Sequence, residues 1–234
     1  MSTDAPRTAA RPAMTPDVPP GPVDPKALVR DGYDRVSHAY RGDTFELDAQ
    51  SGYAHWLRRL TRRLTPGARV LDLGCGNGIP VARELSGRFA VTGGDLSPVQ
   101  IERARALVPG ARFVCADMTS VEFEPASFDC VAAFYSIINV PVSEQLELYR
   151  RIASWLSPGG WLLAVLGKYA WTGTEDDWRG VKGVTMYWSH ADLTSSRRWL
   201  ADAGFEIVEE GTQPEQGTPG FAVLLARRAA GAPI

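Results

Sequence analysis

A chain of 234 residues, 44% hydrophobic and 22% charged, is long enough for one α/β domain with a sizeable core. A formal charge of −2 offers no general attraction to nucleic acid or to an anionic membrane surface. Cys75, Cys115 and Cys130 form no C-x-x-C pair, and the chain has neither an apolar stretch of membrane-spanning length nor an apolar signal core, so a reducing, cytoplasmic location is expected and a disulfide or zinc framework is not.

Residues 1–25 hold seven of the seventeen prolines and almost no large apolar side chains, a composition expected of a disordered tail. From Lys26 the pattern turns helical, with Leu28, Val29, Tyr33 and Val36 at three- and four-residue steps. A second helix is expected over Tyr53–Leu64. Trp56, Leu57, Leu60 and Leu64 share one face, and Arg58, Arg59, Arg62 and Arg63 lie on the other. No aromatic residues interleave these arginines, so they read as a solvated face rather than a nucleic-acid surface. Thr65-Pro66-Gly67 then closes a helical cap spanning residues 26–66.

Residues 67–230 alternate strands and helices. Strands are expected at Arg69–Leu73, Phe89–Gly94, Arg112–Ala116, Phe128–Phe134 and Trp161–Leu166. Helices are expected at Ile79–Leu85, Pro98–Leu107, Glu144–Leu156 (capped by Ser143 and ended by Ser157-Pro158-Gly159-Gly160) and Ala191–Ala203. Phe205–Glu210 and Phe221–Arg227 follow without an intervening helix, so an antiparallel edge hairpin is expected. The repeated βα units predict a doubly wound, Rossmann-like α/β fold with a mostly parallel seven-stranded sheet.

Val70-Leu71-Asp72-Leu73-Gly74-Cys75-Gly76-Asn77-Gly78 reads as a buried strand entering a glycine-rich turn, the place where such a sheet binds a nucleotide-like cofactor. Pro80 fits the first turn of the helix that follows. A dinucleotide pattern would need a third glycine at Ile79, and a phosphate loop would need Lys-Ser/Thr; neither is present. Asp95 lies about twenty residues beyond the turn, where an acid can accept both ribose hydroxyls, while Ser97 is the better helix cap. Asp117 could accept from an exocyclic amine and Met118 pack on an aromatic ring.

Together these segments resemble the class I S-adenosylmethionine-dependent methyltransferases. The glycine turn looks like their first motif, Gly94-Asp95-Leu96-Ser97 like the ribose acid and Cys115-Ala116-Asp117-Met118 like the adenine turn. Ser127-Phe128-Asp129-Cys130-Val131 and Leu156-Ser157-Pro158-Gly159-Gly160 look like later strand starts. The resemblance implies S-adenosylmethionine as cofactor, held by Tyr33, Tyr40, Asp72, Gly74, Gly76, Gly78, Asp95, Leu96, Asp117, Met118 and Tyr135. Asp72 would sit near the methionyl ammonium, and Tyr33 or Tyr40 would close over the methionyl end. Backbone N–H groups at Gly74–Gly78 would receive the carboxylate.

A general base is needed only where the acceptor must lose a proton. Among His38, His55 and His190, His190 follows the fifth strand on the substrate side of the sheet; it reads either as the candidate catalytic residue or as a helix-capping or surface histidine. Asn139 stands where many methyltransferases of this class carry a histidine, and cannot serve as a base. Residues 167–190 are rich in aromatics and follow no simple period; they read either as a substrate lid or as a loop packing its own aromatics. Ser136, Asn139, Trp171, Trp178, Tyr187 and Trp188 are the candidate substrate-binding residues. Glu175, Asp176 and Asp177 are consecutive acids, more suited to a solvated run than to a metal, so no metal is expected. The reading is methyl transfer to a small, apolar or aromatic molecule in secondary metabolism, by a monomer or homodimer with no nucleic-acid or membrane partner. A methyltransferase-like fold that uses the cofactor structurally, for instance in a cyclisation, is the alternative.

Overall fold

The computed structural model describes residues 24–213 and 220–230; the Pro-rich tail expected over residues 1–25 lies almost wholly outside them. Two helices come first: α1 (Pro25–Tyr40), with Asp24 accepting from the Lys26 N–H, and α2 (Gly52–Thr61), capped by Ser51. Then follow β1 (Arg69–Leu73), α3 (Val81–Ser86), β2 (Ala90–Asp95), α4 (Pro98–Leu107), β3 (Arg112–Cys115) and β4 (Phe128–Ala133). The chain continues with α5 (Val142–Trp155), β5 (Leu156–Leu166), β6 (Trp171–Asp176), β7 (Thr185–His190), α6 (Leu193–Asp202), β8 (Phe205–Gln213) and β9 (Phe221–Arg228).

Seven strands form one sheet in the order β3-β2-β1-β4-β5-β9-β8. The first five are parallel, and β9 runs antiparallel to both β5 and β8. This is the expected doubly wound, mostly parallel sheet with its C-terminal edge hairpin. Strand alternation sends Val70 into the core on one face, with Trp56, Leu60 and Leu85, and Leu71 and Leu73 into the core on the other, with Tyr149, Ile152 and Trp155. The strand order reverses between β1 and β4. The crevice beyond the carboxyl ends of these two strands is therefore where a ligand is received.

Five local expectations are corrected. Residues 171–190 are not an irregular loop: β6 and β7 pair antiparallel as a separate two-stranded sheet, from Trp171 opposite His190 to Asp176 opposite Thr185. They escape a period search because the hairpin packs on α1 instead of joining the main sheet. Val29 and Val36 meet Trp178, Val184 and Met186 there, and Gly32 leaves room for the Met186 methyl. Ser143 does not cap α5, which begins a residue earlier; the Val142 N–H donates instead to Ser189 Oγ of β7, 2.9 Å away. Ser157-Pro158-Gly159-Gly160 is not a turn outside the sheet but the irregular start of β5, with a register shift opposite β4. Pro80 precedes α3 rather than lying in its first turn. The arginine face of α2 is also less solvated than expected, because Arg59 and Arg63 both pair with Glu209 of β8.

Candidate cofactor and acceptor cavities

Gly74 follows β1 at φ +80°, and Gly76 at +54°. A methyl group on Gly74 would lie 2.1 Å from Ser136 Cβ, so only glycine lets the turn pass beneath the loop after β4. Ser136 is itself fixed by its hydroxyl, which donates to the Leu73 carbonyl at 2.5 Å. Above this floor opens a cavity of about 650 Å³. Its walls include nine of the expected cofactor residues: Tyr33, Tyr40, Gly74, Gly76, Asp95, Leu96, Asp117, Met118 and Tyr135. Ser136 and Asn139, expected to touch substrate, line this same cavity. Lys26 and Val29 of α1 line it too and were missed, because nothing local to α1 tells which of its side chains overhangs a strand end.

Asp95 is oriented by two backbone donors, Gly76 N–H to Oδ2 at 2.8 Å and Ser97 N–H to Oδ1 at 2.9 Å. Burial raises its pKa, against the pull of these N–H groups. A carboxylate offers about four acceptor positions, so two of them remain for a ligand. Asp117 receives the Thr119 N–H at 2.8 Å and stands 2.9 Å from Lys26 Nζ.

Asp72 lies behind the cavity wall, 2% exposed. Burial pushes its carboxyl up to about 8, with the Asp95 charge adding to the rise and the Ala82 N–H opposing it. Its Oδ2 has no hydrogen-bond partner among the described residues. Gly78 also stands off the wall; its Cα faces Val108 and Phe113.

The glycine turn differs from expectation in its amides. The Gly74 and Cys75 N–H groups both donate to the Gly94 carbonyl, Gly76 to Asp95, Gly78 to the Cys75 carbonyl and Ile79 to Asn77 Oδ1. They close the turn on itself and do not present a row of free donors to a carboxylate.

A second cavity, of about 710 Å³, shares Tyr33, Tyr40 and Tyr135 with the first. The Tyr33–Tyr40 and Tyr33–Trp178 ring pairs are edge-to-face, each with centroids 5.3 Å apart. Trp178 and Trp188, both expected at the substrate, line this chamber with Arg41, Tyr53, Ile138, Arg179 and Phe221. Tyr187 is outside both walls, but its carbonyl accepts from Asn139 Nδ2 at 2.7 Å. Asn139 Oδ1 in turn accepts from the Tyr33 hydroxyl at 3.4 Å. Trp171 and His190 also line neither cavity. His190 Nδ1 lies 2.7 Å from the Tyr169 carbonyl, an acceptor only, so that nitrogen carries the proton.

Residues 70–160 match the model of the methyltransferase domain family. Sterol 24-C-methyltransferase of Clavispora lusitaniae is 34% identical over 148 residues, 59% of this chain and 37% of that protein. An S-adenosylmethionine-dependent methyltransferase of known structure from Mesorhizobium loti is 25% identical, with a TM-score of 0.59 over 76% of this chain and 99% of that one. Over residues 70–160 the chain is thus similar to methyltransferases, S-adenosylmethionine-dependent ones among them. Its fold is shared more widely: the (4+2)-cyclase SpnF superposes with a TM-score of 0.65 at 22% identity, over 86% of this chain and 95% of that one. The chain thus spans little more than a third of the curated sterol methyltransferase's length.

S-adenosylmethionine is the cofactor of the similar Mesorhizobium loti methyltransferase, and the first cavity suits it chemically. The cofactor carries an ammonium and a sulfonium but no phosphate. The cavity offers Asp95 and Asp117 at its wall and an unpartnered Asp72 oxygen behind it, over a floor that a side chain at Gly74 would block.

Proposed function

We propose that this protein transfers the methyl group of S-adenosylmethionine to a small apolar or aromatic acceptor bound in the second cavity. The observation that carries this reading is the seam of Tyr33, Tyr40 and Tyr135, which belongs to both cavities and so separates cofactor from acceptor by one layer of side chains. In this reading Asp95 takes the ribose hydroxyls, while Leu96, Asp117 and Met118 hold the adenine. Asp72 faces the methionyl ammonium, whose charge would bring its raised pKa back down. Arg41, which lines the second cavity beside the shared Tyr40, takes the methionyl carboxylate across that seam in place of the glycine-turn amides. Its backbone carbonyl accepts from Asn77 Nδ2 and Arg103 Nη2, its Nε is buried and unpartnered, and no carboxylate among the described residues lies within 4.0 Å of its guanidinium.

When bound, the cofactor supplies an electrophilic methyl group on a positively charged sulfur. The work left to this chain is alignment and exclusion of water. The β6–β7 hairpin covers the chamber with Trp178 and Trp188, the lid role proposed for residues 167–190. Asn139, bonded to both Tyr33 and Tyr187, ties that cover to α1 and to the loop after β4. Calorimetric titration with S-adenosylhomocysteine tests the reading. Micromolar binding that Asp95→Ala abolishes while the circular dichroism spectrum stays unchanged is expected, and absence of binding to the wild-type protein would overturn it.

A second reading keeps the cofactor as a structural part of a site for another reaction, such as a cyclisation. It is favoured by one observation: among the described residues, no carboxylate or imidazole lines the second cavity. Product formed without release of S-adenosylhomocysteine would select it.

A further inference from the structure

The acceptor chamber holds three donor-only side chains, Arg41, Arg179 and Trp188, beside four tyrosine hydroxyls, and no carboxylate among the described residues. Arg179 sits at the turn of the β6–β7 hairpin in a left-handed conformation, φ +57°, which a residue with a side chain adopts only at a cost. The turn is clamped around it. Gly183 N–H donates to Asp177 Oδ1 at 2.6 Å, and Arg35 of α1 donates to the carbonyls of Gly183 and Lys182. The Arg179 guanidinium lies over the rings of Tyr40 and Trp178, 5.3 and 5.4 Å from their centroids, and no carboxylate among the described residues is within 4.0 Å of it. Trp188, edge-on to Trp178, lines the same chamber with a buried indole N–H that has no acceptor. A desolvated donor without a partner costs about 1–3 kcal/mol. Trp188 Nε1 is such a donor, while the solvent-exposed guanidinium of Arg179 on the same hairpin adds a positive charge with no carboxylate partner to this aromatic-walled chamber.

From this we infer that the acceptor is an anion at neutral pH: a flat, aromatic-sized body bearing a carboxylate or an ionised acidic hydroxyl, whose charge is held by Arg179 and Trp188 Nε1. The inference rests on the reading of the second cavity as the acceptor site. It also accounts for the chamber's lack of a base. An acceptor that arrives ionised has no proton to give up, and burial raises the pKa of the neighbouring Tyr33 and Tyr53 phenols well above their ordinary value, so neither removes one at pH 7. Carboxylate and phenolate share this chemistry. A neutral hydrocarbon acceptor would leave the buried Trp188 N–H without an acceptor.

The test compares 2-naphthoate with its neutral methyl ester by calorimetric titration at pH 7.5, with and without saturating S-adenosylhomocysteine. The pair 2,4-dinitro-1-naphthol, whose hydroxyl is ionised at this pH, and its methyl ether then separates an acidic hydroxyl from a carboxylate. The naphthoate should bind at least ~10-fold more tightly than its ester, as expected for charge-assisted hydrogen bonds in a dry chamber. Arg179→Gln should erase that preference to within ~2-fold while leaving the affinities for ester and S-adenosylhomocysteine unchanged, and Arg179→Lys should restore part of it. Trp188→Phe should cost the naphthoate ~3- to 10-fold and the ester nothing. Asp95→Ala, at a residue that lines only the first cavity, is the contrast: it should weaken S-adenosylhomocysteine and spare the cofactor-free naphthoate preference. Equal binding of acid and ester, no binding of the acid, or an unchanged preference in Arg179→Gln overturns the inference. Failure of S-adenosylhomocysteine to bind overturns the methyltransferase reading instead, and the cofactor-free titrations still decide the anion preference.

Discussion

Lys26 Nζ stands 2.9 Å from Asp117 Oδ2, so the first turn of α1 is tied to the acid that follows β3. The same ammonium lies 2.6 Å from Glu144 Oε2 at the start of α5. Burial disfavours the Asp117 charge, but the Thr119 N–H and Lys26 outweigh it and hold the pKa below its ordinary 3.8. Burial likewise disfavours the Lys26 charge, and Glu144 and Asp117 outweigh it in raising the pKa above 10.5. The acid gives stability that is lost as pH falls below about 4, and the amine gives stability that is lost as pH rises past about 10.5, so the bridge is complete between them.

A double-mutant cycle of Lys26→Met and Asp117→Asn, followed by chemical denaturation at pH 7, should therefore return a coupling of about 0.5–1.5 kcal/mol. Strictly additive losses would show that the bridge does not hold α1 down. Asp117→Asn should also weaken S-adenosylhomocysteine by several-fold, since the amide keeps the shape but loses the charge that pairs with a donor.

Asp72 carries a second prediction, with the opposite sign. Its folded-state pKa of about 8 lies above the ordinary 3.8, so the folded protein holds the extra proton between these values. The stability tied to that proton is complete below about pH 4 and is lost as pH rises to about 8. Asp72→Asn removes the cost of taking up that proton on folding. It should raise the Tm of the cofactor-free protein at pH 7.5 by about 2–4 °C for each kcal/mol recovered, while weakening S-adenosylhomocysteine at least ~10-fold. Wild-type protein should release protons on binding the cofactor at pH 7, read by calorimetry in buffers of different ionisation enthalpy. The variant should release none from this site. A variant melting below wild type at pH 7.5 would refute the account.

His190 supplies the third. Burial lowers its pKa, against the Tyr169 and Ala191 backbone carbonyls, so it favours the neutral ring. A depressed histidine contributes stability that is present above its unfolded pKa of about 6.5 and lost as pH falls below it. Its ring packs on Gly167, where a Cβ would come within 2.0 Å of Nδ1. This is the environment of a side chain that braces the end of β7. Loss of a general base costs about 10²- to 10⁴-fold in rate. His190→Gln should instead change kcat by less than about 3-fold and lower Tm by a few degrees; a hundredfold fall in kcat with unchanged Tm would return His190 to catalysis.

What the sequence by itself determined is what short-range chemistry encodes. The alternation of apolar runs set the seven strands and their helices. The glycines at 74, 76 and 78 marked the one sharp turn, and Asp95 and Asp117 stood at strand ends because acids there have no structural reason to be buried. What only the tertiary structure decided depends on groups far apart in the chain. Ser189 caps α5 from another element, which no reading of residues near 143 could find. The β6–β7 hairpin lacks a clear period because it packs on α1, on the loop after β4 and on the start of α5 at once, so its buried positions do not fall on one face. The amides of the glycine turn looked free in sequence but are bonded to Gly94 and Asp95, from the neighbouring strand. That Arg41 and Arg179 share one chamber with Trp188 follows from α1 and the hairpin meeting over the sheet. Hydrophobic pattern and turn chemistry act within a few residues. The partner of a buried charge is set by which surfaces the whole fold brings together.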